Sequence, residues 1–185
     1  MRYLPNLLSV VRLVAAPIVA WLAVMQRFDL VLMVLIPAAL TDWLDGYAAR
    51  VLGVSSELGA YLDPAADKIL LVVSFVSLGV VGQIPMWLVW LVLGRDVVIV
   101  TGIVLLWWLR SRKEFPPLLS GKISTFFQIV TVLVVLLAAV FHIHSIEILR
   151  QTGIILTAVF TAFSGIQYVR RGIAMSSRDW APCRF

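Results

Sequence analysis

Apolar positions in this chain come in long unbroken runs, and polar positions are confined to the gaps between them. A helix needs about 20 consecutive apolar residues to cross the hydrocarbon of a bilayer, and six runs of roughly that length follow one another. They cover about 8–26, 30–52, 57–81, 85–109, 119–142 and 147–169. The gaps carry Gln26-Arg27-Phe28-Asp29, Gly53 through Glu57, Gly82-Gln83-Ile84-Pro85, Arg110 through Pro117, and His142 through Glu147. The pattern predicts an all-α integral membrane protein with six transmembrane helices, preceded by a short interfacial segment. Because the gaps are short, successive helices are expected to run antiparallel.

Composition removes the alternatives. Hydrophobic residues make up 62% of the 185 residues and charged residues only 14%. Mean hydropathy is +1.01. A water-soluble domain is nearer half apolar and a quarter charged, and a disordered chain is more polar still. With Cys183 as the only cysteine, a disulfide scaffold is excluded as well. The expectation is a single membrane domain over 1–185, in which residues after about 172 form a short cytoplasmic tail, frayed or lying at the interface.

Charge then sets the orientation. Arg2, Arg50, Arg110, Arg112, Lys113, Lys122, Arg170, Arg171, Arg178 and Arg184 fall at one side of the six runs, against Arg27 and Arg150 at the other. Basic residues accumulate on the cytoplasmic side, so both termini are expected there. The net charge of +5 is explained by topology and by anionic lipid headgroups, and no nucleic-acid partner is implied. The first run is full-length and contains Arg12, so it is not read as a cleaved signal.

Five of the ten acidic residues, Asp42, Asp45, Asp63, Asp67 and Asp96, lie inside apolar runs. Each ionised carboxylate there costs at least about 2.5–3.5 kcal/mol, so something must compensate. Asp42 and Asp45 are three apart and share one helix face; Asp63 and Asp67 are four apart and share another. Counting back from the intervening gap at 1.5 Å per residue puts Asp45 and Asp63 at about the same depth, roughly 10 Å. Four anions at one level need cations, and hard oxygen donors suit Mg²⁺, Mn²⁺ or Ca²⁺. Two divalent ions would match four carboxylates and form the usual clamp for phosphoryl transfer. Gly46, Ala48, Ala49, Gly59 and Ala60 beside them allow close approach of a helix or a ligand.

The string Asp42-x-x-Asp45-Gly46-x-x-Ala49-Arg50, a gap of eight residues, then Gly59-x-x-x-Asp63-x-x-x-Asp67 resembles the motif of the CDP-alcohol phosphotransferase family at every fixed position and spacing. Leu4 through Arg12 looks like the family's amino-terminal stretch, Gly94-Arg95-Asp96 like its fourth-helix basic site, and Gly121 through Thr125 like the start of its fifth helix. The resemblance implies transfer of a phosphatidyl group from CDP-diacylglycerol to an alcohol, with release of CMP. It implies two Mg²⁺ or Mn²⁺ ions held by Asp42, Asp45, Asp63 and Asp67, with Asp67 also the general base. Asn6, Gly46, Ala49, Arg50, Ser56 and Gly59 would hold CDP-diacylglycerol. The resemblance further implies a homodimer in a bacterial cytoplasmic membrane, with the active site facing the cytoplasm.

For the acceptor, Arg95 and Lys122, with Arg110, Arg112 or Lys113 nearby, could hold a phosphate. That favours glycerol 3-phosphate, giving phosphatidylglycerophosphate. Asp96 after Arg95 resembles the branch of the family that makes cardiolipin from phosphatidylglycerol, the second choice. An ion- or proton-coupled transporter is the alternative of a different class. It would place acids near the midplane and often show related halves, and neither feature is present in the sequence. A scaffold protein leaves the buried acids unexplained. His142 and His144 read as interfacial residues, and Trp21, Trp87, Trp90, Trp107 and Trp108 as an aromatic belt.

Overall fold

A computed structural model describes the backbone of residues 4–52, 57–108 and 119–178, and within these the side chains of 11–40, 66–102, 104 and 119–172. All regular structure among the described residues is helical: α1 (Leu4–Val24), α2 (Phe28–Leu52), α3 (Glu57–Val80), α4 (Met86–Trp108), α5 (Leu119–Phe141) and α6 (His144–Arg178). Each helix coincides with one of the six apolar runs. At both ends of the chain the helices extend beyond the apolar runs. α1 begins at Leu4, so the residues before the first run continue into the helix; Pro5 falls in the first turn, where no intrahelical donor is lost. α6 continues to Arg178, so the expected tail is helical beyond 172. Ala174, Met175 and Arg178 are good helix formers, and extending an existing helix is cheaper than starting one.

The chain divides into two compact units. The first comprises Met1–Met86 and Val132–Arg150, the second Trp87–Thr131 and Gln151–Phe185. In the first unit α1 packs against α2 and, more extensively, α3. Arg12, Ala15, Ala16, Val19, Leu22 and Ala23 are buried on α1, a stripe at the three- and four-residue spacing of one helix face. Among the described residues of α3, Ala66, Ser74, Phe75, Ser77, Leu78 and Gly79 are buried. The alanines on both helices permit close approach. Ser74 and Ser77 donate to the carbonyls of Leu70 and Val73 one turn back, so no hydroxyl is stranded among apolar groups.

The turns are tight. Gly82, at φ +78°, supplies the left-handed residue between α3 and α4, and nothing lies within 4 Å of where its Cβ would be. Arg150 donates to the Gln83 carbonyl at 2.8 Å while pairing with Glu147, which ties that turn to the start of α6. Between α1 and α2, Arg27 donates to Asp29, and this contact holds the exposed Asp29 carboxyl below its ordinary range.

In the second unit the seam between α5 and α6 is polar. Gly121, Ser124, Gln128 and Thr131 on α5, and Thr157, Thr161 and Ser164 on α6, recur at three- and four-residue spacing. Ser124 bonds Thr161 at 3.0 Å and Thr131 bonds Thr157 at 2.8 Å. Outward faces are apolar: Leu119, Phe126, Ile155, Phe163 and Ile166 are all exposed. This inversion is what lipid as solvent demands, because apolar packing gains nothing over contact with acyl chains while small and polar pairs do. Among the described residues, α5 and the His144–Gly172 part of α6 are long and apolar enough to cross a membrane. Trp21, Trp87 and Trp90 are exposed near helix ends, as an aromatic belt requires.

Candidate functional site

Asp42 and Asp45 lie in the second half of α2, and Asp63 and Asp67 in the first half of α3. The backbone is helical through all four, so the spacing places each pair on one face of its helix. Side chains of Asp42, Asp45 and Asp63 lie outside the described residues, as do those of Asn6, Arg50 and the whole of Ser56. Gly46, Ala49 and Gly59 are helical positions on α2 and α3. Arg110, Arg112 and Lys113 also lie outside the described residues.

Asp67 is the described member of the quartet. Its side chain is 44% exposed, and its Oδ1 accepts a hydrogen bond from Nη1 of Arg12, which is only 5% exposed. Arg12 reaches it from the buried stripe of α1. A guanidinium inside an apolar helix needs an anion, and Asp67 provides one while retaining an accessible surface. Sequence reasoning missed this partner. Arg12 enters the sequence reading as evidence against a signal peptide and as the end of the amino-terminal stretch, although the argument that makes Arg95 conspicuous applies equally to it.

Among the described residues no group of three or more His, Cys, Asp or Glu side chains could hold a metal ion. The donor set nonetheless fits one. Four carboxylates at helical spacing are hard oxygen ligands, and the one whose side chain is described stays accessible beside Arg12. An open apolar groove of about 440 Å³, lined by Leu32, Met33, Ile36, Val140 and Phe141, starts at Asp29. Asp29 is about 20 Å along α2 from Asp42 by helical rise, so this groove is separate from the aspartates.

A second polar centre occupies the other unit. Arg95 on α4 is 8% exposed. Its Nη1 donates to Asp96 Oδ1 at 3.0 Å, and its Nη2 donates to the Gly121 carbonyl and to Ser164 Oγ, each at 3.3 Å. The guanidinium lies over the Tyr168 ring, 5.8 Å from its centroid. Lys122 is exposed on α5 and is not among these partners. His142 and His144 are exposed in the α5–α6 turn, as the sequence suggested.

Comparison with known proteins gives a consistent picture. The family model for CDP-alcohol phosphatidyltransferase matches residues 2–164. The chain is 30% identical over 178 residues to the CDP-diacylglycerol–glycerol-3-phosphate 3-phosphatidyltransferase of Aquifex aeolicus, covering 95% of this chain and 98% of that protein. It is 33% identical over 188 residues to the human CMP-forming cardiolipin synthase, covering 91% of this chain but 61% of that protein. It is also 33% identical over 151 residues to a chloroplastic CDP-diacylglycerol–glycerol-3-phosphate 3-phosphatidyltransferase of Oryza sativa subsp. japonica, spanning 46% of it.

Proposed function

Because the chain belongs to the CDP-alcohol phosphatidyltransferase family, we propose that it transfers the phosphatidyl group of CDP-diacylglycerol to glycerol 3-phosphate, forming phosphatidylglycerophosphate and CMP. The observation that carries the reading is Asp67: a carboxylate closing the Asp-x-x-Asp-Gly to Asp-x-x-x-Asp string, oriented by a buried arginine and left accessible. The near end-to-end likeness to the Aquifex aeolicus enzyme supports the choice of acceptor.

In this reading the chain is one domain of six spans with both termini in the cytoplasm, assembled as a homodimer in a bacterial cytoplasmic membrane. Acyl chains of the donor stay in hydrocarbon, and only its headgroup enters the site. Asn6, Gly46, Ala49, Arg50, Ser56 and Gly59 hold the cytidine diphosphate moiety, Arg50 by a planar two-point contact to phosphate oxygens. Asp42, Asp45, Asp63 and Asp67 would hold two divalent ions, Mg²⁺ or Mn²⁺, which when bound neutralise the charge that gathers on the departing CMP.

An alcohol is a weak nucleophile at neutral pH, so a base within reach lowers the barrier. Asp67 takes the proton of the acceptor hydroxyl. The freed oxygen forms its bond to the phosphorus bearing diacylglycerol, and the bond from that phosphorus to the oxygen of CMP breaks. Arg95 and Lys122 hold the acceptor's phosphate and keep its hydroxyl in line.

One observation favours a second acceptor. Asp96 offsets the charge of Arg95, and a nearly neutral pair suits a phosphodiester such as phosphatidylglycerol better than a phosphomonoester carrying close to two charges. An acceptor panel separates the readings: purified protein with CDP-diacylglycerol and Mg²⁺, supplied with glycerol 3-phosphate, phosphatidylglycerol, inositol phosphate or serine. Fastest CMP release with glycerol 3-phosphate is expected. Fastest release with phosphatidylglycerol selects the second reading, and no release with any of the four overturns both.

A further inference from the structure

Three helices converge on the Arg95 guanidinium. Asp96 on α4 takes Nη1, while the Gly121 carbonyl on α5 and Ser164 on α6 share Nη2. Tyr168, one turn after Ser164, lies beneath the guanidinium plane and is itself 7% exposed. A Cβ on Gly121 would stand 2.9 Å from the Tyr168 hydroxyl and 3.0 Å from Arg95 Nη2, so the missing side chain is the space these two groups occupy. The stem of Arg95 rests on Gly165, whose Cβ would make ordinary contact at 3.8 Å. Within this clamp the buried Nε of Arg95 has no hydrogen-bond partner among the described residues.

We propose that Tyr168 and Ser164 are positioning residues for the acceptor: they lock the Arg95 guanidinium in the one orientation from which it meets the acceptor's phosphate. The inference rests on the reading of Arg95 as the acceptor-phosphate contact and adds α6 to the elements that determine acceptor affinity. A single ion pair to Asp96 lets the guanidinium swivel about one contact. Two acceptors on Nη2 and an aromatic face remove that freedom, so less order has to be imposed when an anion arrives. Ser164 is fully buried, in a membrane chain where a hydroxyl has no solvent to satisfy it. Its bond to Nη2 accounts for its placement.

Steady-state kinetics on the full-length protein in detergent test this. Tyr168→Leu removes the ring face and is expected to raise the KM for glycerol 3-phosphate by about fivefold to tenfold, with the KM for CDP-diacylglycerol changed by less than about twofold. Tyr168→Phe keeps the face and recovers most of the loss. Gly121→Ala pushes on Nη2 from a different helix and is expected to raise the same KM without touching Tyr168's ring. Arg95→Gln is measured alongside. If Arg95→Gln leaves acceptor KM unchanged, the reading beneath the proposal fails and the proposal falls with it. If Arg95→Gln raises acceptor KM while Tyr168→Leu and Gly121→Ala match the wild type, the proposal alone is overturned. Equal values for Tyr168→Leu and Tyr168→Phe overturn it as well, as does a parallel rise in both substrates' KM, which marks a general loss of structure.

Discussion

Asp67 and Arg12 illustrate how a membrane interior constrains individual residues. Arg12 is buried on α1 and has Asp67 to answer its charge; Asp67 keeps 44% of its side chain exposed and so remains available for chemistry. Asp67→Asn keeps the shape and removes the proposed base, and kcat is expected to fall by about 10²–10⁴-fold in a CMP-release assay while donor binding persists. Arg12→Met replaces the guanidinium by an apolar chain of similar length. It is expected to lower both turnover and the thermal midpoint in detergent, and Arg12→Lys to recover part of each; an unchanged Arg12→Met protein contradicts the orienting role. The aspartates were legible in the sequence because four carboxylates in apolar runs have no bland explanation. Arg12 was equally anomalous, but nothing in a one-dimensional string says which of the acids faces it, and only the packing of α1 on α3 supplies that answer.

At the scale of the helix, run length located all six elements to within a few residues along most of the chain. The differences in extent fall at Leu4 and Arg178, where helix propensity carries the backbone past the apolar run that signals it. The seam between α5 and α6 was less legible. Ser124, Gln128, Thr131, Thr157, Thr161 and Ser164 look like scattered interruptions in apolar sequence, yet all are buried. Their pairing depends on which faces meet, which hydropathy does not encode. Thr131→Val and Thr157→Val, singly and together, test the seam by unfolding in mixed micelles. A coupling of about 0.6 kcal/mol is expected, the usual size for a hydrogen bond between membrane helices, and strict additivity would show that the 2.8 Å contact contributes nothing.

For the whole molecule, the proposed function requires the side rich in Lys and Arg to face the cytoplasm, so that the aspartates stand where CMP can leave. Reporter domains fused after Phe185 and before Met1 are expected to give cytoplasmic signals; an exported signal from either would invert the site. Most of the reading, from orientation to chemistry, converges on the aspartates of α2 and α3 acting together on divalent ions. The direct measurement is a Mn²⁺ titration of the purified protein with CDP-diacylglycerol present, followed by electron paramagnetic resonance, for the wild type and for Asp63→Ala. The account expects two ions per chain in the wild type and a loss of tight binding in the variant. Absence of tight Mn²⁺ binding in the wild type, or binding that Asp63→Ala leaves intact, would contradict it.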